Sequence, residues 1–484
     1  MQVNTLSRVK LFKEIEMQTR NVDVAVVGGG TAGLNARRSA LAYTDSVVLI
    51  EGGIWGTTCA RVGCMPSKLL IAAAESVHAI ERAPGFGVHP EQEPRIKGDE
   101  VMGRVLAERD RFVGFVLEGV ENIPPEQKII GNARFLDNHT LEVGELHIKA
   151  KRIVIATGSH TVIPDSLAKF RKAIITNDDL FYMKDLPQSV AVLGSGVIGL
   201  ELTQALHRLG VDVRLFGHSG RIRPITDPKL RDYTEEALNE EYYIAPKDPI
   251  TSMEEDGDKV KITYTDRTGK EAVFHAQYLL AATGRRPNTE NLGLENTDLE
   301  LDSHGVPTVA DRETMQTSVP TIFISGDASN QSAILHEATD QGRIAGANAG
   351  SYPEINHGLR RSNLSIVFSD PQIAMVGDSY EQLQKKYGKD GFAVGEVSFT
   401  GQGRARTMLR NKGMLRVYGD RKSGRFLGAE MFAPDAEHLG HLLAWAHQMG
   451  LTVDKMLEMP FYHPTVEEGV RTALQDLEKN MKKG

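Results

Sequence analysis

The chain has 484 residues, 40% hydrophobic and 25% charged, which fits a globular protein of several packed domains and excludes a disordered or fibrous one. Its 56 Lys and Arg against 64 Asp and Glu give a net charge of −8, and the basic residues are scattered, which argues against nucleic-acid binding. Two cysteines exclude a disulfide framework, no apolar run is long enough to span a membrane, and no secretory signal opens the chain, so a cytoplasmic protein is expected.

Residues 1–20 mix Arg8, Lys10, Lys13 and Arg20 with Glu14 and Glu16, which weakens a presequence reading, and no function is assigned to them. From Val22 the order is that of a βαβ unit: Val22-Asp-Val-Ala-Val-Val27, the turn Gly28-Gly-Gly30-Thr-Ala-Gly33, an Ala-rich helix, then Val47-Val-Leu-Ile-Glu51. In Gly-x-Gly-x-x-Gly the first glycine permits the turn, the second admits a pyrophosphate and the third lets helix and strand pack closely. Alone such glycines often serve only the turn. Here the flanking strand and helix and the closing Glu51 point to a dinucleotide site.

Next comes Cys59-Ala-Arg-Val-Gly-Cys64-Met-Pro66-Ser67-Lys68. Pro66 suits the first turn of a helix, with Leu69, Ala73, Val77 and Ile80 as its expected buried stripe, so Cys64 falls at a helix N-terminus. The helix dipole and Lys68 both favour a thiolate there, and two thiols at this spacing can close a small ring if the loop brings their Cβ atoms together. The bland alternative is a pair of inert small hydrophobes. No His or Cys at ligand spacing suggests a metal.

A second copy of the βαβ pattern runs through Val190-Ala-Val-Leu193, Gly194-Ser-Gly196-Val-Ile-Gly199, a helix to Leu209, and a strand ending at Phe216. Glu201 follows its glycines, but the position of the ribose-binding acid is Gly217, with His218, Arg221 and Arg223 just beyond. These are either partners for a 2′-phosphate or a solvated basic loop, so NAD and NADP both stay open. Each unit is later followed by an apolar strand ending in Ala-Thr-Gly, at Gly158 and at Gly284, and a further strand runs into Gly326-Asp327. After about residue 355 no glycine fingerprint recurs and the tail reads as a separate α+β domain, with a helix near residues 437–449. Near its end, His463-Pro464-Thr-Val-Glu467-Glu468 spaces a histidine five residues from a carboxylate, which allows a His–carboxylate base, although a lone His is more often a packing or surface residue.

In this order, over about residues 21–478, the motifs resemble the two-cysteine flavoprotein disulfide reductases, the pyridine nucleotide-disulfide oxidoreductases that include dihydrolipoamide dehydrogenase, glutathione reductase and mercuric reductase. The resemblance implies an α/β fold of two Rossmann-like dinucleotide-binding domains and a C-terminal α+β dimerisation domain. The division would be an extension at 1–20, an FAD domain at 21–160, an NAD(P) domain at 161–285, a central domain at 286–355 completing the FAD site, and an interface domain at 356–484. It implies FAD held by Gly28, Gly30, Gly33, Glu51, Thr58, Lys68, Gly158 and Asp327 with backbone at Ala133 and Leu335. NAD or NADP would be held by Gly194, Gly196, Gly199, Glu201, Gly217, His218 and Gly284. Glu201 would pair with Lys68, Cys64 would be the thiol nearest the flavin, Cys59 the thiol that exchanges with substrate, and His463 and Glu468 would come from the other subunit of a homodimer.

The mechanism implied is a relay. A dithiol substrate loses a proton to His463, its thiolate attacks Cys59, exchange leaves both cysteines reduced, and two electrons pass through FAD to the nicotinamide. Pro66-Ser67-Lys68 resembles dihydrolipoamide dehydrogenases, and the absence of further C-terminal cysteines sets mercuric reductases aside. The expectation is therefore a dihydrolipoamide dehydrogenase using NAD. An NADPH-linked, glutathione-reductase-like enzyme is the alternative, and a flavoprotein sensor without turnover a remote one. Departures from the family pattern are Thr57 where a glycine is usual, Arg61 for Asn, Phe461 for His, and Gly217. Arg61 would lower a thiol pKa, bind an acidic substrate group, or face solvent.

Overall fold

A computed structural model describes residues 17–247, 249–388 and 390–482. Most of the expected N-terminal extension, residues 1–16, lies outside the described residues. The chain divides into two units, each assembled from three segments: one from the chain up to Thr57, Leu117–Ser159 and Pro287–Leu359, the other from Thr58–Val116, His160–Arg286 and the chain from Arg360 on.

In the first unit Val24, Ala25 and Val26 are fully buried, as a central parallel strand covered on both faces requires. Gln18–Val27 pairs in parallel with Val47–Glu51 on one side and Leu146–Ile155 on the other, and the sheet extends to Lys128–Ile130 and Ile322–Ile324. The first strand starts at Gln18, ahead of its apolar run at Val22. Residues 18–21 are polar but are held by backbone register with residues 146–149, which no hydrophobic pattern reports. Helix Thr31–Ala40 packs along Leu335–Ser351. At Gly342 and Gly346 an added Cβ would lie 2.2 and 2.0 Å from the carbonyl oxygens of Ala32 and Ala36, so the helices touch backbone to backbone.

The second unit holds another parallel sheet, ordered Tyr243–Ala245, Asp212–Phe216, Ser189–Leu193, Tyr278–Ala281, Ile174–Ile175. Helix Val197–Arg208 connects Ser189–Leu193 to Asp212–Phe216. The C-terminal segment forms a five-stranded antiparallel sheet from Leu364–Val367 to Phe426–Ala433, flanked by helices Ala436–Gln448 and Glu468–Met481. The fold is thus α/β with two sheets of dinucleotide-binding type, each with a parallel core, the first extended by antiparallel strands, and a C-terminal α+β portion. No helix among the described residues is long and apolar enough to cross a membrane.

The helix after the cysteines, Cys64–Arg82, corrects one expectation. Its buried face is Leu70, Ile71 and Ala74, packed against residues such as Leu202 and Ala205, while Leu69, Ala73 and Val77 lie at the margin and Ile80 is exposed. Apolar residues at 69, 70 and 71 and again at 72, 73 and 74 satisfy a helical period in more than one phase. The neighbouring helix, not the period, chooses the phase.

Candidate active site

In the first unit the glycine turn builds a cradle. Gly28 has φ +112°, a conformation closed to residues with side chains, and an added Cβ would lie 2.2 Å from Ala156 O. Gly30 caps helix Thr31–Ala40 without any side-chain cap and faces open space, so the first-turn N–H groups and the positive helix end are available to an anion. Glu51 closes its strand and accepts the Gly29 and Gly53 N–H groups, each at 2.6 Å. Across the turn, Thr157 Oγ1 is buried without a partner. Ser159, a residue not anticipated from the sequence, donates to Asp327 Oδ2 at 2.6 Å. Leu335 heads its helix half-exposed with no side-chain cap, and Ala133 is buried opposite Val143. An uncapped helix end, an orphan hydroxyl and a carboxylate at the strand terminus fit a dinucleotide such as FAD.

In the second unit Gly63 separates the short helix Thr58–Val62 from Cys64–Arg82, and Cys64 is the first residue of the longer helix. Both cysteines are free thiols. The Cys59 thiol donates to the Cys64 sulfur, and this, with the Lys68 charge working against burial, lowers Cys64 to about 7. The same hydrogen bond, reinforced by burial, pushes the Cys59 thiol well above its ordinary range. Lys68 Nζ lies 2.9 and 2.8 Å from the two carboxylate oxygens of Glu201, which is only 4% exposed. Phe368, absent from the sequence expectations, completes this group: its N–H donates to Glu201 Oε1 at 2.9 Å and its ring lies 4.4 Å from Lys68 Nζ. Arg61 turns to another task. With Arg285 it faces Asp178, whose carboxyl burial nevertheless holds above the usual range.

The second glycine turn repeats the first. Gly194 has φ +123°, and Gly196 caps helix Val197–Arg208 without a side-chain cap, which leaves another helix end open to a phosphate. Gly217 is closed in: an added Cβ would lie 2.5 Å from Pro246 O and 2.8 Å from Ser195 Oγ. Ser195 Oγ donates to Arg221 O at 2.6 Å and the Arg223 N–H donates to Ser195 O at 3.0 Å, which folds the exposed loop of His218, Arg221 and Arg223 onto the glycine turn. Gly284, at φ +118°, accepts the Val162 N–H.

His463 Nδ1 lies 3.0 and 3.1 Å from the two Glu468 oxygens, and the Thr465 N–H also donates to Glu468. The His463 bond, then the Thr465 N–H, hold Glu468 below its usual value. The His463 side chain is 80% exposed, so its Nε2 face is open to a partner from outside the chain. The structure therefore gathers Cys59, Cys64, Lys68 and Glu201 into one cluster and His463 and Glu468 into another.

Comparison with known proteins matches residues 22–342 to the family described as pyridine nucleotide-disulphide oxidoreductase and residues 364–474 to the dimerisation domain of the same family. A dihydrolipoyl dehydrogenase of Thermus scotoductus is 30% identical over 95% of this chain and 98% of its own length. A mercuric reductase of Lysinibacillus sphaericus is 28% identical over 99% of this chain and 86% of its own. A glutathione reductase of Nostoc sp. is 29% identical over 93% and 98%. The solved Cu(II) complex of the HOCl-induced flavoprotein disulfide reductase RclA from Escherichia coli shares the fold, with a TM-score of 0.76 at 23% identity over 94% of this chain and 99% of that one.

Proposed function

The chain belongs to the pyridine nucleotide-disulphide oxidoreductase family, whose members use FAD and NAD or NADP, and we propose that within it this protein is a dihydrolipoyl dehydrogenase. It oxidises a dithiol such as dihydrolipoamide to the disulfide; the dithiol gives up two electrons and two protons, NAD takes a hydride, and one proton is released. The observation that carries this reading is the thiol pair: Cys64, lowered to about 7 at a helix N-terminus, accepts a hydrogen bond from Cys59, whose own thiol is held protonated.

In the oxidised pair the substrate thiolate attacks Cys59 Sγ and the Cys59–Cys64 bond breaks, releasing Cys64 as the better leaving thiolate. The second substrate thiol then displaces Cys59 and closes the product disulfide. His463 accepts the substrate protons at Nε2 while Glu468 holds Nδ1–H, which fixes the tautomer. We assign His463 and Glu468 to the partner's site in a homodimer, in line with the dimerisation domain. Lys68, paired with Glu201, keeps a cation beside Cys64. Gly28, Gly30, Gly33, Glu51, Thr58, Ala133, Gly158, Asp327 and Leu335 would hold FAD, and Gly194, Gly196, Gly199, Glu201, His218 and Gly284 the nicotinamide nucleotide. When bound, the flavin supplies a two-electron carrier between dithiol and nicotinamide. The proposed division assigns 21–160 and 286–355 to FAD, 161–285 to the nucleotide and 356–484 to the dimer.

Steady-state rates with dihydrolipoamide and with oxidised glutathione, each with the NAD and the NADP forms, test this. Dihydrolipoamide with NAD should be fastest, and Cys59→Ser should abolish turnover; a fast NADPH-dependent glutathione reaction would overturn the lipoamide assignment. That second reading, an NADPH-linked reductase of another small disulfide, is favoured by one observation: Gly217 leaves no acid to repel a 2′-phosphate, and exposed Arg221 and Arg223 follow it.

A further inference from the structure

The Lys68–Glu201 pair depends on a turn distant in sequence. Phe368, which touches both partners, lies between strands Leu364–Val367 and Gln372–Gly377. Gln204, one turn beyond Glu201 on helix Val197–Arg208, ties that turn to the helix through backbone groups. Its Oε1 accepts the Asp370 N–H at 2.7 Å and its Nε2 donates to Asp370 O at 2.9 Å, so one side chain satisfies both backbone groups of a single residue. Gln204 is 4% exposed, and Glu241 accepts its remaining amide hydrogen at 2.8 Å, which fixes the orientation of the amide. Arg208 and Arg410 pin the Asp370 carboxylate at 3.3 and 3.4 Å.

We propose that Gln204 is a positioning residue of the redox site: its grip on the Asp370 backbone seats Phe368 against Glu201 and Lys68, and so fixes the cation that faces Cys64. Without the Phe368 N–H, a buried Glu201 oxygen loses a donor. Without the ring, the Lys68 ammonium loses its support and shifts toward Glu201 or solvent. The groups facing Cys64 are the Cys59 thiol, Lys68 and Glu201; the first two favour its thiolate and Glu201 opposes it. Displacing Lys68 therefore leaves the thiolate less favoured. The inference rests on the reading of Cys64 as the thiolate of the redox pair.

The test is alkylation of the reduced, FAD-loaded protein by iodoacetamide from about pH 5 to pH 9. Tryptic cleavage after Arg61 puts Cys59 and Cys64 on separate peptides, so mass spectrometry reads Cys64 alone. The wild-type midpoint should lie near 7. In Gln204→Ala it should move up by about half a unit to one unit, slowing Cys64 modification at neutral pH roughly two- to fivefold. Gln204→Glu, which keeps an acceptor but loses the donor, should move it the same way and speed hydrogen exchange in residues 366–370. An unchanged midpoint in a variant with native circular dichroism overturns the proposal, as does unchanged exchange in Gln204→Glu if the alanine variant fails to fold. A wild-type midpoint near 9 would instead sink the reading of Cys64 itself.

Discussion

At Thr57 the departure from the family pattern and the backbone coincide: φ is +60°, a left-handed conformation that suits glycine, and here a β-branched residue holds it directly before the redox helix. Such a conformation costs roughly 1–2 kcal/mol, so strain is stored two residues from Cys59. Gly217 poses the opposite case. The sequence presents it as a missing acid, while the structure gives the reason no acid stands there: Pro246 and Ser195 occupy the space of a Cβ. Gly217→Asp, the obvious change to impose NAD preference, should therefore destabilise the protein by about 1–3 kcal/mol through overpacking. Thermal unfolding of the variant checks this, and an unaltered melting temperature would contradict it.

At the scale of elements, helix Cys64–Arg82 shows how far periodicity reaches. Its existence and its start near Cys64 were legible from Pro66 and the apolar spacing, but its rotation was not, because runs of consecutive apolar residues fit several phases. Leu70→Ala, in the buried face against helix Val197–Arg208, should cost about 2–5 kcal/mol, whereas Ile80→Ala should stay within about 0.5 kcal/mol. Urea titration of the two variants separates them; equal losses would restore the phase expected from sequence. The same limit hid Phe368 and Gln204. Each acts through backbone groups more than 160 residues away, and a backbone N–H carries no residue identity for a motif to report.

Across the molecule, charge is spent on joining segments distant in sequence. Glu430, fully buried, accepts the N–H groups of Thr226, Asp227 and Tyr380, and Asp370 gathers Arg208 and Arg410. Burial alone would raise the Asp370 carboxyl, but Arg208, then Arg410, Arg82 and His78, overcome it and hold it below its usual value. A depressed folded-state value means the stabilisation is present above the unfolded carboxylate range and is lost as pH falls below about 4. Melting temperatures recorded from neutral pH downward should fall less steeply in Asp370→Asn than in the wild type, and parallel curves would show that Asp370 contributes nothing to the acid limb. The exposed apolar side chains of Trp445, Met449 and Tyr462 lie in the segment matched to the dimerisation domain, consistent with a second copy as partner. By itself the sequence determined the family, both glycine turns, the thiol pair and the His463 spacing, because each is a contiguous run whose chemistry depends on neighbours within one turn of chain. Only the tertiary structure decided which face of a helix is buried, why position 217 admits no acid and which residue holds Phe368 in place. Those depend on where distant backbone comes to rest, and packing fixes that.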